Sequence, residues 1–296
     1  MTCEPEQTSV LDDAPSGCRA SEAASRGELR RSEMLAREVL AHADAEPGEA
    51  AGAHLALAIV ARERDRPDDA RRELGAAIRS AERVGCSGTV TLARLEQALV
   101  ASSGGAHLEA IGTVVDVDRR LGPPGAEPGL RPVVDAVDAL VHFAAGDVDR
   151  AEVLIERLPT GPVRALLGAR IALARGRIEA ALATVERMRR DGQHDLRHRI
   201  EALVLASRAE AARGAHQAAR RRLADLAELT RPEGYVRVYR DLGVEPPGGS
   251  PRHDGDGPTW IGLSAREQQV LRHLVDRRDN REIAEAMFIS VNTVKT

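Results

Sequence analysis

The chain has 296 residues, 43% of them apolar, enough to build a substantial core and to exclude an intrinsically disordered protein. Its 46 acidic and 42 basic residues leave a formal charge of −4, so any affinity for nucleic acid has to come from a local surface rather than a global field. Lys295 is the single lysine, and it has neither the glycine-rich turn of a Walker A loop nor the setting of a Schiff-base amine.

The apolar residues are mostly Ala, Leu and Val, with five aromatics: Phe143, Tyr235, Tyr239, Trp260 and Phe288. Small aliphatics of this kind predict helix packed on helix, because a β-sandwich leans on β-branched and aromatic residues. Cys3, Cys18 and Cys86 are odd in number and lack metal-ligand spacing, which predicts reduced thiols. No apolar run approaches the roughly 20 residues of a spanning helix, and residues 1–26 lack the order of a signal peptide. The expectation is therefore a cytoplasmic protein with no membrane partner.

Residues 1–25 are rich in Glu, Ser, Ala and Pro without periodicity and are expected to be a disordered tail. From 26 to 244 a unit recurs: an amphipathic run, a turn residue, then a second run with a small residue five positions after the turn. The pairs are Gly27 with Ser32, Asp65 with Ala70, Gly105 with Ala110, Gly146 with Ala151, Gly176 with Ala181, and Gly214 with Ala219, recurring every 30 to 41 residues. A period of this length built from two helices and a tight turn predicts an α-solenoid. The clearest units are Val133–Ala145 turning into Asp149–Leu158, and Val163–Arg175 turning into Ile178–Arg190. The pattern resembles degenerate tetratricopeptide repeats; an irregular helical bundle is the other all-α reading.

Residues 245–258, EPPGGSPRHDGDGP, carry a Pro and Gly density that no helix or strand interior tolerates, and predict a flexible linker. The run 259–296 then reads as three short helices. Ser264 and Glu267 form a capping box that starts the first, and Val270, Leu271 and Leu274 lay an apolar stripe along it. Asn280 caps a second helix through about Met287, with Ile283, Ala284 and Met287 inward. Phe288 and Ile289 make the turn, and Ser290 caps a third helix whose Asn292, Thr293, Lys295 and Thr296 are free to point outward. Two short helices across a tight turn make a helix-turn-helix.

The segments LSAREQQVL, NREIAEAMFIS and NTVKT, in that order and spacing, closely resemble a LuxR-type DNA-binding domain. The resemblance implies that the third helix enters the major groove, with Lys295 and Thr296 near base edges and Arg281 and Thr293 near phosphates. Ser290 and Asn292 complete the DNA-facing set. Lys295 is the residue expected to carry specificity, since lysine can donate to guanine N7 and O6. Such domains continue with a His, the rest of the recognition helix and a fourth helix, so the domain reads as truncated after Thr296. From Thr259 on, six basic and five acidic residues leave a single positive charge, too little to drive tight DNA binding alone.

The stretch PEGYVRVYRDLG, 232–243, resembles the segment that follows the helical repeats in MalT-like LuxR regulators. Those proteins carry an N-terminal nucleotide-binding module, and this chain has no P-loop. The predicted fold is thus all-α, a TPR-like solenoid followed by an incomplete helix-turn-helix. The expected function is a transcription regulator whose partners are double-stranded DNA, an effector ligand or protein on the repeats, and a second copy in a homodimer. The alternative is a protein-interaction scaffold whose helix-turn-helix no longer binds DNA. No catalytic constellation, cofactor site or metal site is predicted: His194 and His198 lack further ligands and read as a solvated pair, no G-x-S-x-G elbow stands out, and Arg220–Arg222 reads as a solvated face.

Overall fold

The computed structural model describes residues 16–42, 45–122, 128–192 and 194–244. Among these residues the chain is all-α, with thirteen helices and no strand. None of the helices is long and apolar enough to cross a membrane. Two units divide between Val238 and Tyr239, and the second is described over residues 239–244 alone.

Twelve helices pair into six hairpins: α1 (Ser16–Arg26) with α2 (Leu29–Ala41), α3 (Pro47–Glu63) with α4 (Pro67–Arg83), α5 (Ser87–Ser103) with α6 (His107–Leu121), α7 (Arg131–Ala144) with α8 (Val148–Ile155), α9 (Pro162–Ala174) with α10 (Ile178–Asp191), and α11 (Leu196–Ala212) with α12 (His216–Thr230). A six-residue helix α13 (Arg237–Leu242) follows.

All six turns use the same chemistry at the residues the repeat predicts. Gly27, Asp65, Gly105, Gly146, Gly176 and Gly214 have φ of 89°, 57°, 85°, 85°, 72° and 81°. The residue after each turn donates its N–H to the carbonyl five positions back, as in Glu28 to Ala23 at 2.9 Å, Ala106 to Ala101 at 3.0 Å and Ala215 to Glu210 at 2.9 Å. This is the Schellman closure, which satisfies helix-end carbonyls and requires a left-handed residue. Glycine supplies that conformation without a Cβ penalty, and Asp is among the few other residues that tolerate it.

The small residue five positions on is buried in every hairpin: Ser32, Ala70, Ala110, Ala151 and Ala181 are fully buried and Ala219 nearly so. Ser32 keeps its hydroxyl satisfied by donating to the Ala20 carbonyl on the facing helix at 2.9 Å. The shorter 30-residue spacing between Gly146 and Gly176 has a local cause. Helix α8 has only eight residues, because Pro159 and Pro162 bar its continuation.

Apolar contacts run from hairpin to hairpin. One cluster joins α1 to α5 through Leu35, Leu55, Ile59 and Leu74, the next joins α5, α6 and α7 through Leu95, Val114 and Val137. Ala139, Leu154 and Leu167 then link α7, α8 and α9, and Leu166, Val185 and Leu205 link α9, α10 and α11. Fully burying one such side chain contributes about 1.5–3 kcal/mol, so neighbouring hairpins stabilise one another.

The expected disordered tail at 1–25 is corrected in part: Ser16–Arg26 is helix α1. Its buried face is Gly17, Ala20, Ala23 and Ala24, which carries almost no hydrophobic signal. The helix gains its place by close approach. A Cβ on Gly17 would stand 2.1 Å from the Glu49 carbonyl oxygen of α3, and one on Gly52 would stand 2.6 Å from the Gly17 carbonyl oxygen.

Candidate functional site

The residues that the sequence assigns to DNA, Arg281, Ser290, Asn292, Thr293, Lys295 and Thr296, lie outside the described residues, as does the linker at 245–258. The polar chemistry of the described chain belongs to the hairpin array, and its buried charged residues, Arg62, Asp135 and Glu210, sit on first helices of hairpins.

Those first helices touch in series: α3 meets α5, α5 meets α7, α7 meets α9, and α9 meets α11. Charged pairs cross two of these junctions. Arg62 of α3 donates Nε to Glu96 of α5 at 2.8 Å, and its Nη1 lies 2.8 Å from Glu63. Arg170 of α9 donates to Glu201 of α11 at 2.8 Å, with its guanidinium 6.0 Å over the Phe143 ring of α7. Arginine suits these places because its planar fork serves two partners at once and its face stacks on an aromatic ring.

Arg62 is 5% exposed. Burial opposes its charge, but Glu63 and Glu96 outweigh that cost and hold the guanidinium protonated. For Glu63, burial favours the neutral acid, yet Arg62, Arg237 and Arg197 together pull its pKa below the usual carboxylate range. The Tyr235 hydroxyl is pushed up, first by burial and then by Glu63, so it stays a proton donor. Glu63 comes from α3, Arg197 from α11 and Tyr235 and Arg237 from the stretch after α12, and α3 lies more than a hundred residues from the other two. No periodicity signals such a cluster, and Glu63 and Arg197 carried no mark in the sequence.

An open cleft of about 700 Å³ is lined by His54, Ala76, Arg79, Ser80, Glu82 and Arg83. His54 Nδ1 lies 2.7 Å from Glu73 Oε2, and Arg83 donates to the Ser80 hydroxyl at 3.0 Å. The lining is mixed: two guanidiniums, an imidazole and a hydroxyl stand with the Glu82 carboxylate and the Ala76 methyl.

The other residues noted in the sequence have structural places. The His pair is not solvated: His198 Nδ1 lies 2.8 Å from Asp195 Oδ1, and the same carboxylate accepts the His198 N–H at 2.9 Å, capping α11. His194 meets the His198 ring edge-on at 6.3 Å between centroids. Arg220 and Arg221 are exposed, whereas Arg222 reaches across to Glu186 of α10. Cys18 and Cys86 are exposed free thiols, the first on α1 rather than in a tail. Among the described residues no group of three or more His, Cys, Asp or Glu could hold a metal ion.

Residues 262–296 match a family model, GerE, described as bacterial regulatory proteins of the luxR family. No curated protein and no solved structure matches the chain. The match supports a LuxR-type regulator and, with it, a DNA-binding role in transcription.

Proposed function

We propose that this chain is a DNA-binding transcription regulator in which the hairpin array receives a ligand or a partner protein and residues 259–296 read DNA through a helix-turn-helix, in the arrangement of MalT-like regulators. The observation that carries the reading is the luxR-family match over residues 262–296, which takes in the NTVKT run with Lys295 and Thr296. In this reading Arg281 and Thr293 hold phosphates, Ser290 caps the third helix, Asn292 supports the DNA-facing side, and Lys295 and Thr296 face base edges. In this reading residues 245–258 form the linker between the two parts.

Fluorescence anisotropy of the full chain on a pool of duplex DNA tests this. Binding should weaken linearly in log salt, with a slope of about −0.9 for each phosphate neutralised. Lys295→Ala should flatten the preference among bound sequences more than it lowers affinity for random duplex. A chain that binds no duplex at low salt, yet retains a protein partner in pull-down, overturns the regulator in favour of an interaction scaffold.

A further inference from the structure

Of the five hairpin turns made at a glycine, four have open space around the left-handed residue and the first does not. A Cβ on Gly105, Gly146, Gly176 or Gly214 would meet nothing within 4 Å, whereas one on Gly27 would stand 2.8 Å from both the Arg197 nitrogen and the Tyr235 hydroxyl oxygen. The first turn is therefore also a notch, and the chain that fills it arrives from the other end of the array.

That chain is the start of α11 together with the stretch after α12. Tyr235 donates its hydroxyl to the Gly27 carbonyl at 3.1 Å. Val236 donates its N–H to the Glu63 carbonyl at the end of α3 at 3.0 Å. The Glu233 carboxylate accepts the Arg30 N–H at 2.8 Å, across 203 residues of sequence. Helix α1 also touches α11.

The Glu233 contact has a particular logic. The first N–H groups of a helix have no partner within it, and the N-cap residue of α2, Glu28, makes no side-chain cap hydrogen bond. Glu233 supplies the missing acceptor from the far end of the array, and its negative charge suits the positive end of the helix. All three hydrogen bonds reach backbone atoms of the first two hairpins, so the docking reads the shape of a turn and a helix end. The ion-paired Glu63 lies beside it, held by Arg62, Arg197 and Arg237.

We infer that residues 233–237 are a strap that fastens the last hairpin of the array to the first, and that it opens as a unit while the hairpins stay folded. Neighbouring hairpins are joined by apolar clusters, while the strap is held by the one buried ring of Tyr235, the Arg237–Glu63 ion pair and three hydrogen bonds that water can replace in the open state. Each of those hydrogen bonds shifts an equilibrium by only about threefold to tenfold, so a minor open state can be populated and selected. The use of the strap in regulation rests on the function proposed above; its opening does not.

Hydrogen exchange on the full chain, read by mass spectrometry, tests it without DNA. In a Glu233→Ala, Tyr235→Phe double variant, peptides carrying the amides of Arg30 and Val236 should exchange about tenfold or more faster, with peptides of α7 to α10 unchanged. Glu233→Gln keeps an acceptor oxygen and should fall between the wild type and Glu233→Ala at Arg30. Acceleration spread evenly over all hairpins would overturn the strap as a separable element, and unchanged exchange at Arg30 and Val236 would overturn its role in closure. A chain that binds no duplex would overturn the regulator and leave the strap to be decided by these rates.

Discussion

The six hairpin turns and the strap are both closed by hydrogen bonds to backbone atoms, and they are built in opposite ways. Each turn is local, closed by hydrogen bonds over three and five residues and repeated along the chain. The strap is formed once, between partners 173 to 208 residues apart, from a carboxylate, a phenol and one main-chain N–H. The turns define what a repeat is, and the strap defines how many repeats stand between its two ends. The α1–α3 crossing is a third kind of backbone meeting, where glycine is needed for space and not for φ.

The largest effect should come from that crossing. Gly17→Ala places a methyl 2.1 Å from the Glu49 carbonyl oxygen, and backbone on both sides resists movement. Overpacking of this kind costs about 3 kcal/mol, so the urea midpoint should fall clearly and peptides of α1 should lose exchange protection. A variant as stable as the wild type would mean that the two helices separate freely and that α1 is not part of the array.

Gly105→Ala poses the complementary case. Nothing lies within 4 Å of the added methyl, but φ there is +85°. The cost should be conformational only, about 1–2 kcal/mol, smaller than at Gly17 although the substitution is the same. Equal losses at the two sites would erase the distinction between space and backbone conformation.

The repeats were legible because the turn residue and the small residue five positions later recur in the sequence itself, and both answer local requirements: a left-handed φ, and a close helix–helix approach. Gly27, Asp65 and Ser32 could be read this way even where the hydrophobic pattern was weak. Helix α1 was missed for the converse reason, since a face of Gly17, Ala20, Ala23 and Ala24 packs by proximity and looks like tail composition. Tyr235 was visible as part of the PEGYVRVYRDLG resemblance, but its partner Gly27 was not, because a single pairing across 208 residues leaves no period. The DNA-facing residues at the C-terminus were read from motif order and capping, and they lie outside the described residues.

The strap should respond to single substitutions more weakly than either glycine site. Tyr235→Phe keeps the ring and removes only the hydroxyl that Gly27 accepts from, a net loss of about 1 kcal/mol. Much of that loss should appear as local opening near Gly27 and Val236 rather than as a shift of the global unfolding midpoint.

Acidification should open the strap region more gently still, and its direction follows from Glu63. The folded pKa of this carboxylate is lowered below its unfolded value of about 4.3, because Arg62, Arg237 and Arg197 outweigh the cost of burying it. Its contribution to stability is therefore fully present above the unfolded value and is lost as pH falls toward and through the folded one. Exchange protection near Val236, whose N–H is held by the Glu63 carbonyl, should drop over that acid window after correction for intrinsic rates. The Glu63→Gln variant should lack this step, because it has no proton to take up there. A step of the same size in both proteins would assign the acid response to other carboxylates and leave the arginines around Glu63 with no part in fastening the two ends of the array.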